Sequence, residues 1–253
     1  MRYYPQYSWL VSVPMLVVPP TLYVWATVQA SRAFPKGLAF DVKNLMRVYN
    51  VAQILLCTYM TIGLWPVLGF PNVFGVNSVF TPRGEWFVFV HYLSKYMDWL
   101  DTFFIISKGN ARKQLSFLHV YHHATIGICW GIVSHLGQGN GTIRYGALIN
   151  SVTHVLMYSH YLWTSFGFSN PFKKLLTTWQ IFQFYTCFFH STVVITNMFV
   201  VERQIDRRLA WVQLCYHTTM IYLFTWKLYW VPELYIKHSS ATKEAASKPK
   251  KTN

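Results

Sequence analysis

The feature that most constrains this chain is a series of long apolar runs, each close to the length of a bilayer-spanning helix. A hydrocarbon core takes about 20 mostly apolar residues per helix. Such runs fall at roughly 8–28, 46–68, 85–107, 115–134, 143–166, 177–200 and 209–231. Lipid offers backbone amides no water to bond, so a span must satisfy its own polar groups, as a helix does. The expected fold is therefore all-α, a polytopic bundle of about seven transmembrane helices, with a single domain over 1–237. Pro14, Pro19 and Pro20 lie inside the first run and predict a kink or break there. That run has no short apolar stretch followed by a cleavage site, so it reads as a span and not a signal peptide.

Charge sets the orientation. Hydrophobic residues make up 53% of the chain and charged ones 12%, about half the roughly 25% usual in soluble proteins. The net charge of +14 therefore sits mostly between apolar runs, where topology and anionic lipid headgroups account for it; nucleic acid is not an expected partner. Fourteen Lys and Arg residues fall on one side of the expected membrane, six on the other, and Lys95 and Lys227 within spans. The excess predicts a cytosolic C-terminus, with the N-terminus on the opposite face. Residues 238–253 are polar and lysine-rich, which predicts a disordered cytosolic tail. Cys57, Cys129, Cys187 and Cys215 share no CxxC spacing and read as small buried hydrophobes.

Polar residues inside the spans carry the functional signal, because each ionisable group there costs about 2.5–3.5 kcal/mol on insertion scales. In the third run Lys95, Asp98 and Asp101 recur every three residues, with Thr102 next. In the fourth, His119, His122 and His123 share one helical face. The fifth presents Asn150, His154, Met157, Tyr158 and Tyr161 as a stripe, and the sixth opens with Thr177, Gln180, Gln183 and Phe184. Taken singly, these have structural alternatives: a self-compensating ion cluster for the first, a core histidine for any one of the box, interhelical hydrogen-bond glue for the glutamines. Given the orientation, however, all four motifs fall toward the cytosolic half of the bundle, which suits one pocket.

Together the motifs resemble the very-long-chain fatty acid elongase family, whose pattern reads KxxExxDT, QxxxLHxxHH, NxxxHxxMYxYY and TxxQxxQF. Here they stand in that order at Lys95–Thr102, Gln114–His123, Asn150–Tyr161 and Thr177–Phe184. Asp98 replaces the usual glutamate and His160 a usual tyrosine, which places the ion-cluster geometry and the pocket wall in question. The resemblance implies a 3-oxoacyl-CoA synthase that condenses an acyl-CoA with malonyl-CoA, releasing carbon dioxide and CoA. It implies His122 as nucleophile or general base, with His119, His123, His154 and Asp101 as its catalytic company. Lys95, Asp98, Asn150, Tyr158, Gln180 and Gln183 would be substrate-binding. No metal and no cofactor is expected, and the reductases and dehydratase that complete elongation are expected partners. Lys108, Arg112, Lys113, Lys173 and Lys174 would serve either as CoA-phosphate ligands or as orientation charges. Gln114 leans toward the branch acting on polyunsaturated chains. Lys250 and Lys251, near the end of the tail, resemble a dilysine retrieval signal, so an endoplasmic reticulum membrane location is expected.

Two rivals remain. A di-iron membrane oxygenase also uses HxxHH but needs several such boxes, and His91, His135, His190, His217 and His238 are isolated. A receptor or transporter would also line its path with buried charge.

Overall fold

The computed structural model describes residues 1–68, 79–196 and 207–229. The tail at 238–253 and the Lys250–Lys251 pair lie outside the described residues. A 3-10 segment, Pro5–Val11, leads into α1 (Val13–Ala33). There follow α2 (Lys43–Leu64), α3 (Pro82–Met97), α4 (Trp99–Ser107), a short α5 (Ala111–Gln114), α6 (Phe117–His135), α7 (Arg144–Ser165), α8 (Lys173–Thr196) and α9 (Arg207–Tyr229). The described residues are helical throughout their regular structure, with no strand.

Helix packing closes a ring. α2 runs along α7, α7 meets α8, α8 pairs with α9, α9 touches α6, α6 packs on α3, and α3 returns to α2. α1 stands outside, against α6 and α4. The surface is apolar where the helices face outward: Val17, Leu22 and Trp25 on α1, Val48, Leu55 and Ile62 on α2, and Phe182, Tyr185 and Phe189 on α8 are exposed. Gln53, His91, Lys95 and Asp98 are buried inside. Among the described residues one helix, Val13–Ala33, meets a strict test of length and apolarity for crossing a membrane. Several of the other expected spans fall short because they carry the buried polar groups of the interior, or because, like α3 and α4, the run is divided.

Two local expectations are corrected. The first run is not broken at its prolines. Pro14 sits in the first turn of α1, where a missing N–H costs nothing, and the helix continues through Pro19 and Pro20. Pro19 cannot bond the Met15 carbonyl one turn back; the Tyr96 hydroxyl from α3 donates to that carbonyl at 3.3 Å, as a neighbouring helix can. The third run, by contrast, is not one helix. It divides at Asp98, where the backbone closes a tighter turn with the Asp101 N–H donating to the Asp98 carbonyl at 3.1 Å.

The inner end of α2 packs on α3 and α7 through Cys57, Met60, Leu64, Phe87, Val88, Ala147 and Leu148. Gly63 makes that approach possible: a Cβ there would lie 2.1 Å from the Phe87 ring. Gly63→Ala is expected to lower stability by about 1–3 kcal/mol through overpacking, read as a lower thermal midpoint in detergent. Adding Phe87→Leu should recover most of the loss.

At the start of α3 the Glu85 carboxylate accepts the backbone N–H groups of Arg2, Tyr3 and Tyr4 at 2.7, 2.6 and 3.2 Å, fastening the N-terminal segment there.

Candidate active site

The histidine box is aimed by a helix cap. The Ser116 side chain accepts the His119 backbone N–H at 3.2 Å, starting α6 so that His119, His122 and His123 occupy its first two turns. The three rings then cluster. The centroids of His119 and His123 are 4.3 Å apart, and those of His122 and His123 are 5.4 Å apart. His119 Nε2 shares a hydrogen bond with Thr102 Oγ1 at 2.8 Å, and Thr102 shares another with the Tyr23 hydroxyl at 2.8 Å. This chain ties the box to α4 and α1. The Trp99 indole donates to the His123 carbonyl at 2.8 Å. His123 Nδ1 is buried without a hydrogen-bond partner.

Behind the box lies a buried ion network. The Lys95 ammonium donates to Asp98 Oδ2 at 3.3 Å and to Asn150 Oδ1 at 2.9 Å. The Gln53 amide donates to Asp98 Oδ1 at 2.9 Å and to the Tyr49 hydroxyl at 2.8 Å. The Tyr158 hydroxyl sits between the two carboxylates, 3.2 Å from Asp98 Oδ1 and 2.8 Å from Asp101 Oδ2. His154 Nδ1 is 3.8 Å from Asp98 Oδ2, within ion-pair range but beyond a hydrogen bond. Lys95 and Asp98 are each 2% exposed at the side chain or less, so each charge depends on the others for what water would supply. The division of the helix at Asp98 does not scatter the cluster, because Tyr158 gathers both carboxylates from α7.

The ring encloses a cavity of about 690 Å³. His119, His122 and His123 line it from α6, Asn150, His154 and Tyr161 from α7, Gln180 and Gln183 from α8, Asp101 and Lys108 from the α4 side, and Asn50 from α2. A second, narrower space of about 60 Å³ adjoins it, lined chiefly by carbon from Ile126, Trp130, Val133, Leu209 and Val212. His122, Asn150, Gln183 and Phe184 belong to both walls. His122 thus stands at the junction of a wider chamber and a narrower, more apolar passage.

Sequence reasoning and structure part company at several positions. Lys95, Asp98 and Tyr158, expected to contact substrate, are not among the cavity-lining residues; they are buried in the wall and hold its lining. His160, expected in the pocket wall, instead accepts a hydrogen bond at Nδ1 from the Asn170 amide at 2.7 Å, at the turn between α7 and α8. Lys108 lies at the rim, donating to Met46 Sδ at 3.0 Å; burial there lowers its pKa below the ordinary lysine value, with Asp41 opposing the shift. Lys173 and Lys174 are exposed at the start of α8 and do not line the cavity. The side chains of Arg112 and Lys113 lie outside the described residues. Of the cysteines, Cys57 and Cys187 are buried, while Cys215 is exposed and Cys129 partly so. Missed by sequence reasoning were Tyr49, Asn50 and Gln53 of α2. They recur at helical spacing in the second run, a polar stripe in an apolar segment, and that was the available signal.

Among the described residues, no group of three or more His, Cys, Asp or Glu side chains is disposed to hold a metal ion. The chamber instead offers imidazoles, amides and one carboxylate around a space large enough for an extended ligand.

Comparison with known proteins adds to this geometry. Residues 8–243 match the ELO family, described as the GNS1/SUR4 family. The chain is 44% identical to "Fatty acid elongase 4" of Trypanosoma brucei brucei over 223 residues, covering 88% of this chain and 86% of that one. It is 40% identical to "Fatty acid elongase 5" of Leishmania major over 222 residues, covering 88% and 87%. With "Very long chain fatty acid elongase 5" of Homo sapiens it shares 32% identity over 203 residues, covering 74% of this chain and 63% of the human one.

Proposed function

This chain belongs to the ELO (GNS1/SUR4) family and has the condensing role of fatty acid elongation, and from that premise we propose that it is a 3-oxoacyl-CoA synthase working through His122. The reaction joins an acyl-CoA to the two-carbon fragment of malonyl-CoA, yielding a 3-oxoacyl-CoA two carbons longer, carbon dioxide and free CoA. The observation that carries the reading is the position of His122 at the junction of chamber and passage. An acyl-CoA has a polar, bulky head and a thin apolar tail, and its thioester lies where the two meet. A tail in the passage and a head in the chamber put that carbonyl beside the His122 ring.

His122 attacks the thioester carbonyl to give an acyl-imidazole and release CoA. The carbanion left when malonyl-CoA loses carbon dioxide then takes the acyl group and frees the imidazole. One hard step becomes two easier ones. Asn150 and His154, on the facing helix, are placed to stabilise developing negative charge on the thioester or enolate oxygen. His119, held by Thr102, and Asp101, held by Tyr158, orient the box. A general-base role for His122 uses the same geometry.

The passage admits a slender chain, and Gln114, which lines the chamber, supports long polyunsaturated acyl-CoAs as the preferred class. Among the described residues, Lys108 at the rim is a cation placed for CoA phosphate. The exposed apolar residues on α1, α2 and α8 suit contact with lipid, supporting a bundle of about seven spans with its C-terminus cytosolic. Lys250 and Lys251 support residence in the endoplasmic reticulum, beside the reductases and dehydratase that would process the product.

The test is a microsomal assay with radiolabelled malonyl-CoA and a panel of acyl-CoAs. Label in a product two carbons longer than its primer is expected, greatest with polyunsaturated primers. Absence of label with every primer, from well-folded protein, would overturn the proposal.

A further inference from the structure

α1 stands outside the helix ring, yet one of its side chains reaches the histidine box, and the proposed reaction gives it no part. Tyr23 is buried, and its ring stacks on Trp99 of α4, centroids 4.8 Å apart at 19°. Its hydroxyl lies 2.8 Å from Thr102 Oγ1, and Thr102 Oγ1 lies 2.8 Å from His119 Nε2. Thr27, about one turn further along α1, is the other side-chain hydrogen-bond partner of the phenol.

The direction of this chain follows from its donors. Threonines inside these helices commonly turn their proton back on the carbonyl four residues before, as Thr21, Thr61, Thr125 and Thr153 do. For Thr102 that carbonyl belongs to Asp98, where the run divides, and it accepts the Asp101 N–H instead. The Thr102 proton is therefore directed to one of its two side-chain neighbours. A phenol is more acidic than an alcohol and the better donor, so Tyr23 donates to Thr102 and accepts from Thr27. Thr102 then donates to His119 Nε2, and a neutral imidazole that accepts at Nε2 carries its proton on Nδ1.

We propose that Tyr23 is a positioning residue for the condensation, holding His119 through Thr102 as the tautomer protonated on Nδ1. His119 lines the chamber, its ring centroid 4.3 Å from that of His123. A fixed tautomer keeps the ring's proton and lone pair in constant places while charge develops in the chamber, and an exchanging one does not. Phenylalanine at position 23 would keep the stack on Trp99, so packing alone does not call for the hydroxyl. The inference rests on the histidine box carrying the chemistry, as proposed above.

The test compares wild type, Tyr23→Phe, Thr102→Val, the double variant and Leu16→Ala in the full chain, with kcat and the KM for malonyl-CoA measured per amount of folded protein. Leu16 packs α1 onto α6, where a Cβ on Gly131 would lie 2.1 Å from its Cδ2, and serves as the control for a loosened α1. Tyr23→Phe is expected to lower kcat about three- to tenfold, the scale of one hydrogen bond, with KM and thermal midpoint near wild type. In the Thr102→Val background Tyr23→Phe should cost nothing further, and Leu16→Ala should lower the midpoint but not kcat. Imidazole nitrogen shifts in histidine-labelled protein, with the His119 signal assigned by its loss in His119→Gln, are expected to place the proton on Nδ1 in wild type and on both nitrogens by exchange in Tyr23→Phe. An unchanged kcat in Tyr23→Phe, additive losses in the double variant, an equal fall of kcat in Leu16→Ala, or a wild-type proton on Nε2 would each overturn the inference. Absence of elongation by wild type would instead remove the proposed reaction, and the nitrogen shifts would still report whether Tyr23 holds the tautomer.

Discussion

Replacing His122 with alanine is expected to reduce malonyl incorporation by more than about a thousandfold at matched expression, the scale on which enzymes lose rate when a nucleophile or its base is removed. The size follows from position. His122 is the member of the box that faces both the chamber and the passage, so no neighbouring imidazole substitutes for it. His119 is committed to Thr102, and His123 lines the chamber but not the passage. The loss should appear in kcat with the amount of folded protein unchanged, since a partly buried imidazole at a cavity edge contributes little to packing. A companion experiment separates the two chemical roles. Incubated with acyl-CoA alone, a nucleophilic His122 releases one equivalent of CoA in a burst and adds one acyl mass to the enzyme. A general base does neither. Retention of substantial elongation by His122→Ala would remove His122 from the chemistry altogether.

The second large effect is on stability. Asp98→Ala is expected to cost about 3–5 kcal/mol, because removing one partner of a buried ion pair strands the other. Here the stranded groups are the Lys95 ammonium, the Gln53 amide and the Tyr158 hydroxyl, all of which bond Asp98. The fall would be read as a lower thermal midpoint in detergent, accompanied by loss of elongation as Lys95 releases Asn150. The double variant Lys95→Met with Asp98→Leu removes both charges and should recover much of the stability, since apolar replacements of a buried pair are often neutral. It should recover none of the activity, because Asn150 and His154 would still lack the groups that position them. If Asp98→Ala melted like wild type, the network would be better solvated than its burial implies.

The pair of experiments separates what the box does from what supports it, and the sequence anticipated these two roles unequally. The helices were largely legible: the run read at 143–166 is the helix Arg144–Ser165, and that read at 115–134 is Phe117–His135. Periodicity and apolarity are local properties, and a helix satisfies its backbone locally, so the chain itself determines where each helix lies and which residues share its face. The same logic grouped His119, His122 and His123 on one face before any contact was known.

Tertiary structure decided the rest. Tyr49, Asn50 and Gln53 come to the site from α2, some 40 residues or more before the first charged motif, because α2 packs along α7. Lys95, Asp98 and Tyr158 share the motifs of the cavity residues, yet they sit behind its wall. His160, one residue from Tyr161, turns away to Asn170 while Tyr161 lines the chamber. The junction at His122 exists only because α6, α8 and α9 meet at a particular depth and rotation. Those quantities come from many weak interhelical contacts between residues far apart in sequence. Spacing along one helix tells which residues face the same way; it does not tell what they face.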